Sequence, residues 1–233
     1  MTRSGGAVQI NRAYLPDQRQ QPEVASALQL RWAQQIVEAP LESPPELVAG
    51  CDVHLRGDLG RATIVVVRLP SFEVVEAVHG EARVSFPYVP GFLSWREIPP
   101  IAVALGQLTV RPDVLFADGH GIAHPRGFGL ACHLGLLSGL PTLGCAKSIL
   151  RGDHAPLAEE RGAQTPLIYR GRVVGTAVRS KDRVKPLYVS VGQQITLDEA
   201  TAVVLSTGLK HRLPEPSRLA HLAAQSWARG EVE

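Results

Sequence analysis

The sequence is poor in cysteine, and its three cysteines are not spaced as metal ligands or disulfide partners. The number of cysteines is odd, and no two of Cys51, Cys132 and Cys145 form a C-x-x-C pair. Disulfide-stapled domains and zinc knuckles need paired cysteines at short spacing. The pattern therefore argues against both classes and favours a reducing compartment, with the cysteines as small core residues.

Long apolar runs are also missing. No segment approaches the roughly 20 residues that a membrane-spanning helix needs. The first residues, MTRSGGAVQINRAYLPDQRQQ, lack the apolar centre of a signal peptide. We therefore expect a cytoplasmic protein without a membrane partner.

A strong excess of charge of either sign is absent as well, since the net charge is only +2 over 233 residues. This value argues against a protein that coats nucleic acid. It still permits a local basic groove beside a cluster of acids. The length is enough for one domain with a substantial core.

The hydrophobic pattern predicts a mixed α/β domain. Residues 1–22 are polar and without a clear period, which predicts a flexible tail, and residues 23–233 then form a single domain. Runs rich in β-branched residues at 47–55, 62–69 and 72–78 indicate an antiparallel meander. After it, helices and strands alternate, which favours a mixed sheet covered by helices. The other predicted strands are 114–117, 141–145, 173–178 and 187–190, and the predicted helices are 23–38, 101–109, 127–137, 197–207 and 217–228.

Two aspartates interrupt apolar runs, where a buried carboxylate is costly. Asp52 lies within VAGCDVHL, and Asp118 ends the run VLFAD. Burial of a carboxylate requires a cation or hydrogen bonds, and two carboxylates on neighbouring strands can share one hard divalent cation. Such an ion activates water for phosphodiester hydrolysis. The residues alone leave a second interpretation open, in which one aspartate caps a loop and the other pairs with an arginine.

The proline-rich segment SFPYVPGFLSWREIPP contains two further candidates. Glu97 is either a third carboxylate at the ion or an exposed acid paired with Arg96. Tyr88 lies between two prolines that stiffen the backbone. A stiff loop with an aromatic ring suits stacking on bases or wedging between them. Simple packing of Tyr88 at the domain edge is the alternative.

The loop DGHGIAHPRG begins at the second aspartate and holds several potential ligand groups. Gly119 allows the backbone to approach a ligand closely, and His124 can bind, cap or donate. A structural glycine loop with hydrogen-bonded histidines is the alternative. Farther along, Lys147 follows a predicted strand, where it can reach a scissile phosphate or remain solvated.

Taken together, these segments resemble the endonuclease V family. The matching pieces cover most of residues 46–215 and are LVAGCDVHL, PYVPGFLSWREIP, DVLFADGHGIAHPRGFGLACHLGLLSGLPTLGCAKSIL and RLPEPSR. The resemblance implies a ribonuclease H-like fold, a mixed five-stranded sheet with helices on both faces. It also implies a monomeric, Mg²⁺-dependent endonuclease, with Mn²⁺ as a substitute. The expected substrate is DNA containing deoxyinosine, cut at the second phosphodiester bond on its 3′ side, or RNA containing inosine; the cut would initiate repair of deaminated adenine.

The resemblance further implies roles for individual residues. Asp52, Asp118 and Glu97 would bind the metal, and Lys147 would contact the scissile phosphate. Tyr88 would belong to a wedge that fills the gap left by an extruded base. The hypoxanthine pocket would be lined by Pro90, Gly91, Leu93, Gly119 and His124.

One position departs from the family pattern. The family has a histidine in a stretch such as PGH or TGH, where this chain reads SVGQQIT with Gln193 in that place. Glutamine can hold a water through its carbonyl oxygen but does not titrate near neutral pH. We therefore predict a water-positioning role for Gln193 at the metal site, with cleavage retained. The alternative is an inosine-binding module with weak or lost cleavage.

Overall fold

Eight strands form one mixed sheet in the computed structural model, which describes residues 7–229. In chain order the strands are β1 (Leu47–Arg56), β2 (Leu59–Arg68), β3 (Glu73–Arg83), β4 (Val114–Ala117), β5 (Thr142–Ala146), β6 (Gln164–Tyr169), β7 (Arg172–Val178) and β8 (Leu187–Gln193). Their order across the sheet is β3-β2-β1-β4-β5-β8-β7-β6.

The first five strands form one contiguous part of this sheet. The strands β1, β2 and β3 are the predicted antiparallel meander, and β4 and β5 continue parallel to β1. This part corresponds to the five-stranded mixed sheet implied by the resemblance. The strands β8, β7 and β6 extend it by antiparallel pairing. The edge strand β6 was not predicted, because Pro166 interrupts it and most of its residues are exposed or half-buried.

Helices cover both faces of the sheet, as expected. They are α1 (Pro22–Ala33), α2 (Leu93–Leu105), α3 (Leu130–Ser138), α4 (Leu197–Thr207) and α5 (Glu215–Ala228). One core lies between the sheet and α2 and α3, and a second core lies between the opposite face and α4 and α5. A third, aromatic cluster joins α1 to α2 and α3. Within residues 7–229, every helix is too short or too polar to cross a bilayer.

The helix α2 begins earlier than the sequence predicts. The expected start was residue 101, after a proline-rich loop, yet the helix already includes Pro99 and Pro100. Proline lacks the N–H that would bond to the carbonyl four residues before it. Here the Nε2 of Gln18 donates to the carbonyl of Trp95 at 2.6 Å and replaces that bond. Glu97 consequently lies on a helix that packs against the sheet.

The described part of the predicted tail packs against the domain rather than extending away from it. Val8 is buried in the core beneath α2 and α3. The backbone N–H of Asn11 donates to the carbonyl of Leu137 at 2.8 Å. The side chain of Gln18 bonds to the backbone of both Phe86 and Trp95. The segment has no hydrophobic periodicity that would predict these contacts. Residues 1–6 lie outside the described part of the chain.

Candidate metal centre and base pocket

The parallel pairing of β1 with β4 places Asp52 beside Asp118. Cys51 pairs with Ala117 in this register, and each aspartate is the next residue of its chain segment. Both carboxylate side chains are largely buried, with 11% of Asp52 and 20% of Asp118 exposed. The sequence prediction that these two aspartates meet at one end of neighbouring strands is consistent with this geometry.

A histidine that the sequence analysis did not include completes the cluster. His221, on α5, places Nδ1 2.8 Å from Oδ2 of Asp52. Ligand atoms of Asp52, Asp118 and His221 all lie within 4.8 Å of one another. The amide nitrogen of Gln225 lies 2.8 Å from Nε2 of the same ring. An amide that donates to Nε2 leaves the imidazole proton on Nδ1, which then donates to the carboxylate.

A glycine brings α5 close enough for this contact. A Cβ atom at Gly50 would lie 2.1 Å from the carbonyl oxygen of Pro216, so only glycine allows the helix to cross β1 here. Residues two apart on a strand share one face, and Asp52 therefore points to the same side as Gly50. His221 follows Pro216 by five residues on the helix. A glycine within a strand can mark a place where another backbone approaches closely. The sequence does not show which helix approaches Gly50.

The acids repel one another because they are buried close together. Burial raises the pKa of Asp52, and the charge of Asp118 raises it further, while the hydrogen bond from His221 opposes both. The pKa of Glu97 lies well above its usual value, first because of burial and then because of Asp52 and Asp118. Glu97 thus approaches the cluster from α2 and is not an isolated surface acid. A divalent cation would offset this concentration of negative charge.

Lys147 provides one positive charge at the same end of the sheet. It directly follows β5, and its Nζ lies 2.5 Å from Oδ2 of Asp118. More than a third of its side chain is exposed. The ammonium group can therefore contact both the aspartate and an incoming anion.

A cavity of about 270 Å³ is lined by five of the six residues expected to contact the substrate. They are Tyr88, Pro90, Gly91, Leu93 and His124. The sixth, Gly119, lies directly behind the wall, since a Cβ there would be 3.4 Å from Leu130 and 3.6 Å from Leu93. The ring of Tyr88 is 76% exposed at the tip of its loop, so it is free to contact a ligand.

His124 is held in one neutral form beside this cavity. Its Nε2 lies 3.0 Å from the carbonyl oxygen of Gly91, and its Nδ1 accepts from the backbone N–H of Arg126 at 3.2 Å. The proton is therefore on Nε2. Burial, followed by the charge of Arg126, lowers the pKa of His124 to about 4.

The prediction for Gln193 is wrong. This residue ends β8 and pairs with Thr142 at the start of β5, whereas Lys147 lies beyond the other end of that strand. Its Oε1 accepts from the backbone N–H of Val37 at 2.7 Å, and the side chain is buried. Antiparallel pairing of β8 places it at the end of the sheet away from the acids. Gln193 therefore gives no reason to expect weak cleavage.

Comparison with known proteins agrees with this arrangement. The family model described as Endonuclease V matches residues 30–222. The curated endonuclease V of Roseiflexus castenholzii is 44% identical over 200 residues, covering 86% of this chain and 90% of the relative. The crystal structure of the Streptomyces avermitilis endonuclease V superposes with a TM-score of 0.86 at 36% identity, covering 97% of this chain and 99% of the other. A Ciona intestinalis endonuclease V, crystallised with a 24-mer DNA containing an inosine followed by a ribo-adenosine, gives a TM-score of 0.77 at 25% identity, over 91% of this chain and 100% of the other. The chain belongs to the endonuclease V family.

Proposed function

We propose that this protein is a Mg²⁺-dependent endonuclease that cuts a DNA strand at the second phosphodiester bond 3′ to a hypoxanthine nucleotide and so initiates repair of deaminated adenine. One observation carries the proposal: ligand atoms of two aspartates and a histidine lie within 4.8 Å of one another. The cavity lined by the Tyr88 loop and His124 supplies a place for the base. The inosine-containing DNA bound to the Ciona relative supports this choice of substrate.

The donor set fits a hard divalent cation. Asp52 and Asp118 offer carboxylate oxygens, which Mg²⁺ and Mn²⁺ prefer, and His221 adds a ring nitrogen. Burial, followed by the charge of Asp118, raises the pKa of Asp52, and a cation beside the carboxylate would offset both effects. When bound, the cation would activate water and stabilise the leaving oxygen.

The residues of the chain have distinct tasks in this proposal. Asp52, Asp118 and His221 hold the cation, and Glu97 adds a nearby carboxylate that can bind it or orient a water ligand. To bind the cation through Nδ1, His221 would carry its ring proton on Nε2 and no longer donate to Asp52. Gln225, with its amide turned over, would then accept that proton through Oε1 and hold the ring in place. Lys147 moves from its contact with Asp118 toward a phosphate oxygen of the strand and neutralises part of its charge.

Recognition of the base uses the neighbouring cavity. An enzyme reads a single base by taking it out of the stack, at the expense of a few kcal/mol of stacking and pairing. The exposed ring of Tyr88 can fill the resulting gap. The extruded hypoxanthine then lies between the Gly91 backbone and the loop that contains His124.

A pure binding module explains the cluster less well. Buried carboxylates that repel each other lower the stability of the folded chain unless they bind a cation. Asp52 and Glu97 both have raised pKa values for this reason. Retention of such a costly arrangement favours catalysis over binding alone.

The direct test uses end-labelled DNA and RNA strands, each with one inosine, and matched strands with adenosine. We expect the monomeric protein to cut the inosine DNA at the second phosphodiester bond 3′ to the inosine. Cutting should occur in Mg²⁺ or Mn²⁺ and should be absent in excess EDTA. Preferential cutting of the RNA would transfer the proposal to RNA as substrate. No preference for inosine in either strand, or cleavage by Asp118→Asn equal to wild type, would refute it.

A further inference from the structure

Gln29 is a buried polar residue outside the metal cluster, and the roles described above do not use it. It lies on α1, on the same helix face as Ala25 and Trp32, and is only 1% exposed. It precedes the segment matched by the family model by one residue. A buried amide requires hydrogen-bond partners, so its contacts indicate what it does.

The amide of Gln29 joins two separate loops. Its Nε2 donates to the carbonyl of Gly91 and to the carbonyl of Phe128, both at 3.1 Å. Its Oε1 accepts from Nε of Arg126 at 2.5 Å. Both amide hydrogens and the carbonyl are thereby used.

These two loops are the two walls of the base cavity. Gly91 follows the Tyr88 wedge on one wall, while Arg126 and Phe128 end the loop that carries His124 on the other. Gln29 also lines the cavity itself. A single side chain on a helix therefore bonds to both walls and reinforces the direct contacts between them.

The carbonyl oxygen of Gly91 is the point where the contacts converge. Besides the amide of Gln29, it lies 3.0 Å from Nε2 of His124 and 2.7 Å from a guanidinium nitrogen of Arg126. The guanidinium stacks over the ring of Phe92, 4.3 Å from its centroid. Three donors on one carbonyl hold the peptide after Gly91 in a single orientation.

We infer that Gln29 is a positioning residue that sets the width of the base cavity and thereby the preference for hypoxanthine over adenine. The inference rests on the proposed function, since it assumes that this cavity takes the base. The two purines differ at the 6-position, where one has an oxo group and the other an amino group. Discrimination between them requires donors and acceptors held in place within a fraction of an ångström. Loosening the walls should weaken recognition and leave the metal cluster intact.

The test compares Gln29→Met with wild type on inosine and adenosine strands. Methionine keeps the length of the side chain but offers no amide to Gly91, Phe128 or Arg126. We expect KM for the inosine strand to rise roughly tenfold or more and the inosine preference to fall. The single-turnover rate at saturating strand should stay within about threefold of wild type, because the metal ligands are unchanged.

A matched control is Gln193→Met. Gln193 is also a buried glutamine bonded to backbone, but it lies at the other end of the sheet. This variant should lose a similar amount of thermal stability and keep the wild-type KM and preference. A second variant, Gln29→Glu, keeps the acceptor for Arg126 and removes the donors to the two carbonyls. It should behave like Gln29→Met, and it carries the test if the methionine variant does not fold.

The outcomes separate this inference from the proposed function. Wild-type KM and wild-type inosine preference in the folded Gln29 variants would overturn the inference alone. A lower saturating rate with unchanged KM would also overturn it, because it would place the effect on the chemistry. If wild type itself shows no inosine preference, the proposed function fails first and the inference fails with it.

Discussion

Nδ1 of His221 lies 2.8 Å from Oδ2 of Asp52, although 169 positions separate the two residues in the chain. The contact ties the last helix to the first strand at the point where the acids meet. It holds the carboxylate of Asp52 in one orientation and lowers its pKa against the opposing effects of burial and Asp118. The helix is therefore part of the site as well as a cover for the sheet.

Replacement of His221 with alanine should lower cleavage of an inosine strand by about 10- to 100-fold, the usual effect of losing a group that binds or orients at a metal centre. The half-saturating Mg²⁺ concentration should rise as well. Single-turnover rates over a Mg²⁺ titration measure both quantities. His211→Ala is the control, since His211 is exposed on the loop before the same helix. An unchanged rate and Mg²⁺ dependence in His221→Ala would show that the ring is only structural.

Asp52→Asn should abolish cleavage yet raise the melting temperature of the metal-free protein. The pKa of Asp52 in the folded state is raised above its ordinary 3.8. The charged carboxylate is therefore less favourable in the folded state than in the unfolded state, and above pH 3.8 it lowers the free energy of unfolding. Removing the charge removes this cost, and about 1 kcal/mol corresponds to about 2–4 °C in a domain of this size.

In added Mg²⁺, wild type should instead melt at a higher temperature than Asp52→Asn. The cation binds only the folded wild type with high affinity and stabilises it by mass action. Thermal melts in EDTA and in Mg²⁺ measure both effects. A lower melting temperature of Asp52→Asn than of wild type in EDTA, or an equal rise of both melting temperatures in Mg²⁺, would contradict a cation site at Asp52.

His133 should make the protein less stable in mild acid. Its ring is fully buried among aromatic residues, and its Nε2 lies 2.7 Å from the carbonyl oxygen of Tyr14. Burial lowers the pKa of His133 from 6.5 to about 4. A folded-state pKa below the unfolded value means that the unfolded chain binds the proton first. The stability contributed by the neutral ring is therefore complete above pH 6.5 and is lost as the pH falls toward 4.

The size of this effect is at most about 1.4 kcal/mol per pH unit for one histidine. His133→Gln removes the titration and keeps a donor for Tyr14. Chemical denaturation of both proteins from pH 7 to about pH 4.5 isolates the contribution as the difference between their free energies of unfolding. Wild type should lose stability relative to the variant across this range, and a constant difference would disprove the assignment.

Tyr88→Ala should weaken recognition of the damaged site more than the chemical step. Stacking of one base on an aromatic ring contributes about 1–3 kcal/mol, so KM should rise by about five- to 100-fold. The saturating rate should be nearly unchanged, and so should the melting temperature, because the ring is 76% exposed. Tyr88→Phe keeps the ring and should behave like wild type. Equal KM values for the alanine and phenylalanine variants would exclude a wedge role.

Elements with a strong local signal were predictable from the sequence. The strand at 114–117 and the helix at 197–207 have the predicted bounds. The helix begins with a capping box between Thr196 and Glu199, whose spacing is readable directly. Asp52 and Asp118 were identifiable because a carboxylate in an apolar strand needs compensation, and neighbouring strands bring such residues together.

Features that depend on tertiary contacts were not predictable. The start of α2 was missed because its prolines argue against a helix, and the compensating donor, Gln18, comes from 77 positions before Trp95. The packing of residues 7–21 was missed for the same reason. It depends on contacts with residues far along the chain, and no pattern within the segment itself predicts those contacts. Propensity describes only local preference, and tertiary contacts override it here.

The two errors at the site have one physical origin. Gln193 was assigned to the metal site from a short motif, whereas the antiparallel direction of β8 carries it to the opposite end of the sheet. His221 was overlooked although the motif RLPEPSR ends three residues before it, because the motif does not show that this helix crosses β1 at Gly50. The direction in which β8 runs beside β5 decides at which end of the sheet Gln193 lies. The sequence alone did not determine that direction.

The central claim is that Asp52, Asp118 and His221 bind one divalent cation together. Anomalous diffraction from crystals grown with Mn²⁺ tests it most directly, because manganese scatters anomalously far more strongly than water or the atoms of the three side chains. We predict a peak within coordination distance of all three side chains, and its loss in Asp118→Asn. A peak elsewhere with none between the three residues would contradict the account.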